Sequence, residues 1–198
     1  MHWYEKLNKY FPDEEMKSKE HIELLLKEKE EIYKKSEDKY HVMMYVEAAD
    51  FSFIDYLFVS KEARGKGIGK KLLDKLKARN KPIILEVEPV DYEDTDTEKR
   101  QRFYRREGFK HAQSIGYTRR SLATGEVNEM EILYWSPEDD SEESIYKKMC
   151  HTYETIHTYK DIELYGKPYE AVEQALKYNN VKKEGKGKET GTDKEPVS

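Results

Sequence analysis

The sequence predicts an α/β (α+β) domain, with a mixed, mostly antiparallel sheet flanked by helices and continued by a C-terminal helical extension. Three observations carry that prediction. Runs such as "HVMMYV" and "FIDYLFV" are nearly continuous in apolar and aromatic residues, as in strands covered on both faces. Segments with helical apolar spacing flank these runs. Finally, Gly65, Gly67 and Gly69 fall within five residues where one such run passes into an amphipathic helix.

Residues 13–35 set Met16, Ile22, Leu25, Leu26 and Ile32 among charges, the pattern of a surface helix with one apolar face. Residues 1–35 as a whole read as a helical N-terminal region, so no strand is expected before Tyr40. Tyr40–Glu47 and Ser52–Val59 read as two strands joined by a short turn at Ala48–Asp50. After the glycine segment and its helix comes "KPIILEVEP", a compact buried strand bracketed by Pro82 and Pro89. The next helix starts near Asp94, with acidic residues and Thr97 supplying its N-cap, and it ends with Arg105 and Arg106 before a terminating Gly108. Residues 109–120 and 127–136 look like an antiparallel pair around a loop at 121–126. Past Pro137, the spacing of Ile145, Met149, Tyr153 and Ile156 predicts a helix, and residues 167–180 offer a second short one. The resulting organisation is a domain over 1–136, a helical extension packed on it over 137–180, and a tail at 181–198. That tail is too charged and too poor in apolar groups to order itself.

Bulk properties exclude several function classes. The 198 residues suffice for one domain and an appendage. Charged residues make up 39% of the chain, yet the net charge is only −5, without the basic excess expected of a nucleic-acid binder. The single cysteine, Cys150, rules out an intramolecular disulfide and disfavours a thiolate metal site. The six histidines form no ligand cluster and read as surface residues, so no metal is expected. No apolar stretch approaches the ~20 residues of a membrane span, and the start has no signal-peptide core, so a cytoplasmic location is expected.

Two phosphate-binding motifs fail on the glycine segment. The P-loop pattern needs a glycine where Arg64 stands and a Ser or Thr where Lys71 stands; the dinucleotide fingerprint fits Gly65 and Gly67 but then meets Lys70. What fits is R-x-x-G-x-G over Arg64, Gly67 and Gly69, which brings backbone N–H groups to a helix N-terminus where anions are favoured. That helix opens with Lys66, Lys70 and Lys71, a poor choice for an empty helix start and a good one beside a diphosphate. A flexible turn with solvated lysines is the alternative.

With its flanks, the segment resembles the GNAT superfamily of acyl-CoA-dependent N-acetyltransferases. "LFVSKEARGKGIGKKLL" is similar to the family's central strand–loop–helix motif, and "ILEVEP" to its next strand. "TEKRQRFYRREGF" is similar to the family segment N-x-x-A-x-x-x-Y-x-x-x-G-F, with Tyr104, Gly108 and Phe109 in register. The resemblance spans residues 40–136. It implies acetyl-CoA as cosubstrate, an amine-bearing acceptor (small molecule or protein), and a monomer or homodimer. Leu57, Phe58 and Val59 would present backbone to the pantetheine arm where neighbouring strands splay, and Arg64, Gly65, Lys66, Gly67, Ile68, Gly69 and Lys70 would hold the pyrophosphate. Tyr104 matches the tyrosine that protonates the departing thiolate; Glu86 matches the general base of the ribosomal-protein alanine acetyltransferase branch. The chain departs from the pattern at Thr97, which replaces a cofactor-binding Asn, and at Arg100, which replaces Ala.

Acetyl transfer to an amine makes definite demands. A lysine-like amine with a pKa near 10.4 pays about 4.6 kcal/mol to be neutral at pH 7, so a carboxylate or a water it holds must take a proton. The developing oxyanion needs donors, which backbone N–H groups could give, and the leaving thiolate gains from a nearby acid. Glu86 and Glu88 share one strand face, alternating with Leu85 and Val87. Glu86, Glu88, Asp55 and a water are all open as the base, and ion pairs with Arg100, Arg102 or Arg105 are the competing role for the two glutamates. Tyr104 competes with an ordinary half-buried tyrosine role. Cys150 lies far from the motif, which favours direct transfer in a ternary complex. Two other function classes remain: an acetyl-CoA sensor without turnover, and a nucleic-acid or ribosome-associated protein whose lysines contact phosphate.

Overall fold

The computed structural model describes residues 2–93, 95–121 and 124–179, so the expected tail at 181–198 lies outside the described residues. The chain opens with two short helices, α1 (Trp3–Asn8) and α2 (Lys19–Glu28). The Ser18 hydroxyl caps α2 by accepting the His21 N–H at 3.1 Å. The helix stops at Glu28, and Tyr33–Glu37 forms a strand, β1. The expected helical region to residue 35 is thus corrected, and the strand sought before Tyr40 is present. Pairing decides the matter: β1 lies antiparallel to β2 (His41–Glu47), with Tyr33 opposite Val46. That register buries the Tyr33 ring, a gain that outweighs the helix preference of the surrounding lysines and glutamates.

The rest of the sheet follows the expected plan. β3 (Ser52–Val59) pairs with β2, and α3 (Ile68–Lys77) leads to β4 (Ile83–Val87). α4 (Thr95–Arg106) precedes β5 (Lys110–His111), β6 (Ile115–Arg120) and β7 (Val127–Trp135). Thr97 therefore sits inside the first turn of α4 and is not its N-cap; its hydroxyl accepts the Asp91 N–H at 3.0 Å and ties down the preceding loop. α5 (Glu142–Thr152) runs on into a π-helical turn at Tyr153–His157, followed by α6 (Asp161–Tyr165) and α7 (Val172–Ala175). The extension then ends in a strand the sequence pattern concealed, β8 (Leu176–Tyr178), which pairs with β6. The strand order is β1-β2-β3-β4-β7-β6-β8, with β5 also on β7, and among the described residues only the β3/β4 pair is parallel.

Each face of the sheet has its own core. Leu72, Leu73 and Leu76 of α3 pack with Ile54, Ile83, Leu85, Val87, Tyr104 and Phe109 on one side. Leu7, Ile22, Leu25, Ile84, Ile145, Met149 and Ile156 join α1, α2 and α5 on the other. Alternation along β4 sends Glu86 to the second face with Ile84. The stripe at Ile145, Met149, Tyr153 and Ile156 joins this second core. Among the described residues, no helix is long and apolar enough to cross a membrane.

Candidate active site

The site begins where two strands part. β3 and β4 pair only from Ser52–Ile83 to Ile54–Leu85, although β3 continues to Val59 and β4 to Val87. A bulge in β3 marks the same point: Met44 faces Tyr56 and Tyr45 faces Ile54, leaving Asp55 as the extra residue. Beyond the split, the β4 side of β3 is open. This is the splaying expected at Leu57, Phe58 and Val59.

A cleft of about 560 Å³ opens from the split, lined by Leu57, Val59, Arg64, Gly65, Gly67, Ile68, Gly69 and Lys70, with Asp96, Lys99, Arg100, Phe103, Tyr104 and Arg106 across it. Gly67 is the N-cap of α3 with φ +75°, a left-handed conformation that disfavours a side chain, and no side chain caps the helix. The first-turn N–H groups, which have no intrahelical partner, thus border the cleft with no competing cap. Two residues expected at the cofactor, Lys66 and Thr97, are placed differently, and Phe58, expected to offer only its backbone, turns its side chain away from the cleft. Phe58 packs against the core under α1, with its ring 5.5 Å from that of Tyr10. Lys66 is exposed and does not line the cleft. Thr97 borders a separate polar hollow with Glu88, Pro89, Asp91 and Asn128.

Tyr104 stands at the junction between this cleft and a small inner cavity of about 40 Å³, since it lines both, as do Leu57 and Arg100. The ring is 5% exposed, and burial pushes its phenol well above the ordinary tyrosine range, so it keeps its proton at any physiological pH. The inner cavity has three acidic residues on its wall: Glu15, Asp55 and Glu86. Two of them are fully engaged. Asp55 takes the Lys17 ammonium at 2.6 Å on one oxygen and the Tyr33 hydroxyl at 2.6 Å on the other. Glu86 meets His157 Nε2 at 2.6 Å and Arg119 Nη1 at 3.2 Å. Burial alone would raise the Glu86 carboxyl, but His157 and Arg119 outweigh it and hold it down at about 2. His157 Nδ1 is buried without a partner, which fits a neutral ring that carries its proton on Nε2 and donates it to Glu86. Burial depresses the His157 pKa in the same sense.

Sequence reasoning missed two residues of this wall, Glu15 and Arg119, and His157 behind it. The histidines were expected at the surface, but His21, His41 and His157 are buried. His157 follows Met149 and Tyr153 on the apolar stripe, a signal that was available. Arg119 shares the inward face of β6 with Ile115 and Tyr117, so strand alternation also placed it inside. Arg100, which departs from the family pattern and was one of three arginines expected to pair with the β4 glutamates, lies over the Tyr10 and Phe11 rings at 5.5 Å each and 3.6 Å from Glu88. Nothing in the local sequence marked Glu15. Its carbonyl accepts from Arg119 Nη2 at 2.7 Å and from the Tyr56 hydroxyl at 3.0 Å, which fixes the α1–α2 connection against the cavity. Among the described residues, no group of three or more His, Cys, Asp and Glu could hold a metal ion.

Comparison with known proteins agrees with this architecture. A family model described as an acetyltransferase (GNAT) domain matches residues 25–111, from α2 through β5. The chain is 63% identical over 184 residues to YjbC of Bacillus subtilis (strain 168), provisionally named an acetyltransferase, covering 93% of this chain and 96% of that protein. Its fold is similar to that of a provisionally named GNAT-family acetyltransferase from Bacteroides thetaiotaomicron. That likeness has a TM-score of 0.62 at 24% identity and covers 78% of this chain and 89% of the other.

Proposed function

Because the chain belongs to the GNAT acetyltransferase family, we propose that it transfers the acetyl group of acetyl-CoA directly to an amine held in the inner cavity. The chain is an N-acetyltransferase, and the observation that supports this route is the parting of β3 and β4 at Ile54–Leu85, which joins the inner cavity to the large cleft. The residues present fit coenzyme A. A Cβ at Gly65 or Gly67 would meet nothing within 4 Å, so backbone is open to a ligand there. The uncapped start of α3, with Arg64, Lys70 and Lys99 on the cleft wall, suits a diphosphate. The unpaired edge of β3 offers backbone groups to an amide-bearing arm. When bound, the cosubstrate supplies a thioester acyl group.

The chain's own residues do the rest. Tyr104, protonated and located between cleft and cavity, donates to the leaving sulfur. Cys150 is half-buried on α5, outside both linings, and burial raises its thiol pKa, so it serves no covalent route. The cavity's 40 Å³ is little more than the space of one water, so it admits only the reacting end of an acceptor. A protein N-terminus, a lysine and a small amine all present such an end. The test is Tyr104→Phe, which keeps the ring and removes the proton. Turnover is expected to fall by roughly 10²–10⁴-fold with acetyl-CoA affinity unchanged, as measured by thiol release and calorimetry. Undiminished turnover would remove Tyr104 from the mechanism.

A further inference from the structure

We propose that Glu15 is the residue that takes the proton from the acceptor amine. The inference rests on the acetyltransferase reading above and names the base of that same site. Elimination by geometry comes first. Of the three acidic residues on the cavity wall, Asp55 and Glu86 have both oxygens committed to Lys17, Tyr33, His157 and Arg119. Glu15 alone keeps a free one: its Oε1 is buried with no hydrogen-bond partner. A buried carboxyl oxygen without a donor is costly, and the fold holds it in place all the same. Arg119 and Tyr56 both bond the Glu15 carbonyl, and the Lys17 N–H donates to the same Tyr56 hydroxyl at 2.9 Å, so the backbone on which the carboxyl stands is pinned from two strands.

The electrostatics agree with the geometry. Burial and then the neighbouring Glu88 push the Glu15 carboxyl up to about 8, against the opposing pull of Arg100 and Arg119. The Glu88 carboxyl nearby makes a negative charge on Glu15 costly, so Glu15 holds its proton more tightly and a cation close to it favours the ionised form. A base near 8 is also a far better match to an amine than Glu86 held near 2. In the step itself, the bound ammonium first passes one proton through the ionised Glu15 carboxylate to solvent, and the freed nitrogen lone pair then forms the C–N bond as the C–S bond breaks. The nitrogen's proton goes to Glu15, and the departing sulfur takes the Tyr104 proton. Glu15 then releases its proton and Tyr104 regains one from solvent, so that amine and thioester become amide and thiol.

The experiment uses the full chain with n-butylamine as probe, a slender primary amine, and follows thiol release from acetyl-CoA against pH. Glu15→Gln is expected to lose roughly 10²–10⁴-fold in turnover while acetyl-CoA affinity holds. The wild-type rate should rise through a group titrating near pH 8, and Glu88→Gln, which removes the like charge, should move that rise towards acid. Carboxyl-labelled NMR provides a readout that needs no turnover. The Glu15 resonance should titrate near pH 8, and its midpoint should fall on adding n-butylammonium or in Glu88→Gln. An active Glu15→Gln enzyme, an unaltered pH profile in it, or a Glu15 midpoint in the ordinary carboxylate range would overturn the proposal. If n-butylamine accepts no acetyl group, the titration decides alone. Failure of acetyl-CoA to bind the wild type would count against the cleft reading and leave the Glu15 titration to be judged separately.

Discussion

Glu15 and Glu86 share one cavity wall, yet their surroundings drive their protons in opposite directions, and stability must follow. Glu86 sits at about 2 when folded and near 4.5 when free, so its contribution is full above pH 4.5 and drains away as pH falls towards 2. His21 acts in the same sense over a higher window. Burial holds it at about 3 against an ordinary 6.5, so stability declines as pH falls from 6.5 to 3. Glu15 has the reverse sign. Its folded pKa of about 8 exceeds the ordinary 4.5, so the folded chain keeps a proton that the unfolded chain has lost between those values. Its contribution is full below 4.5 and fades as pH rises to 8. Glu15→Gln is therefore expected to melt higher than wild type at pH 9 and about equal to it at pH 4. Glu86→Gln should cost about 3–5 kcal/mol at pH 7, because it strands Arg119 and His157. Thermal melts at the three pH values check the set, and a Glu15→Gln chain less stable at pH 9 would contradict the sign.

At the scale of elements, the last strand is where pattern and structure diverge. Residues 167–180 carry a helical spacing, yet α7 has one turn, Val172–Ala175, and Leu176–Tyr178 joins the sheet edge. Pairing on β6 from Ile115–Tyr178 to Tyr117–Leu176 buries Leu176 and Ala175 completely enough that one turn of helix cannot compete. A chain ending at Gly166 loses that edge, whereas a chain ending at Asn179 keeps it. The shorter one is expected to melt several degrees lower, since burying one leucine alone is worth about 1.5–3 kcal/mol. Equal melting temperatures would show that β8 adds nothing to the fold. α3 and α4 make the complementary point. A Cβ at Gly69 would lie 3.0 Å from Phe103 Cζ, so the glycine that admits a ligand also lets the two cleft helices close on each other.

For the molecule as a whole, the cleft couples ligand and fold. Acetyl-CoA at 100-fold its Kd is expected to add about 2.7 kcal/mol of stability, visible as a raised melting temperature. Gly67→Val should lower the melting temperature of the free protein, because φ +75° strains a branched residue by about 1–3 kcal/mol, and it should also abolish the ligand-induced shift. A variant that keeps the full shift would place the diphosphate elsewhere.

The sequence by itself determined the parts that depend on neighbours along the chain. The β2–β3 hairpin, the glycine loop and α3, the β4 strand between its prolines, and α4 carrying Tyr104 all follow from local periodicity and from glycine's backbone freedom. The tertiary structure decided what depends on distant partners. Glu86 meets His157 across 71 positions and Arg119 meets Glu15 across 104, separations at which no spacing rule operates. β1 and β8 are strands because an edge of the sheet was there to pair with, and Glu86 is engaged on both oxygens because β6 brings Arg119 to it and the π-helical turn after α5 delivers a histidine beneath β4. A carboxylate's proton affinity is set by the charges and the burial around it, and those exist only once the chain has closed.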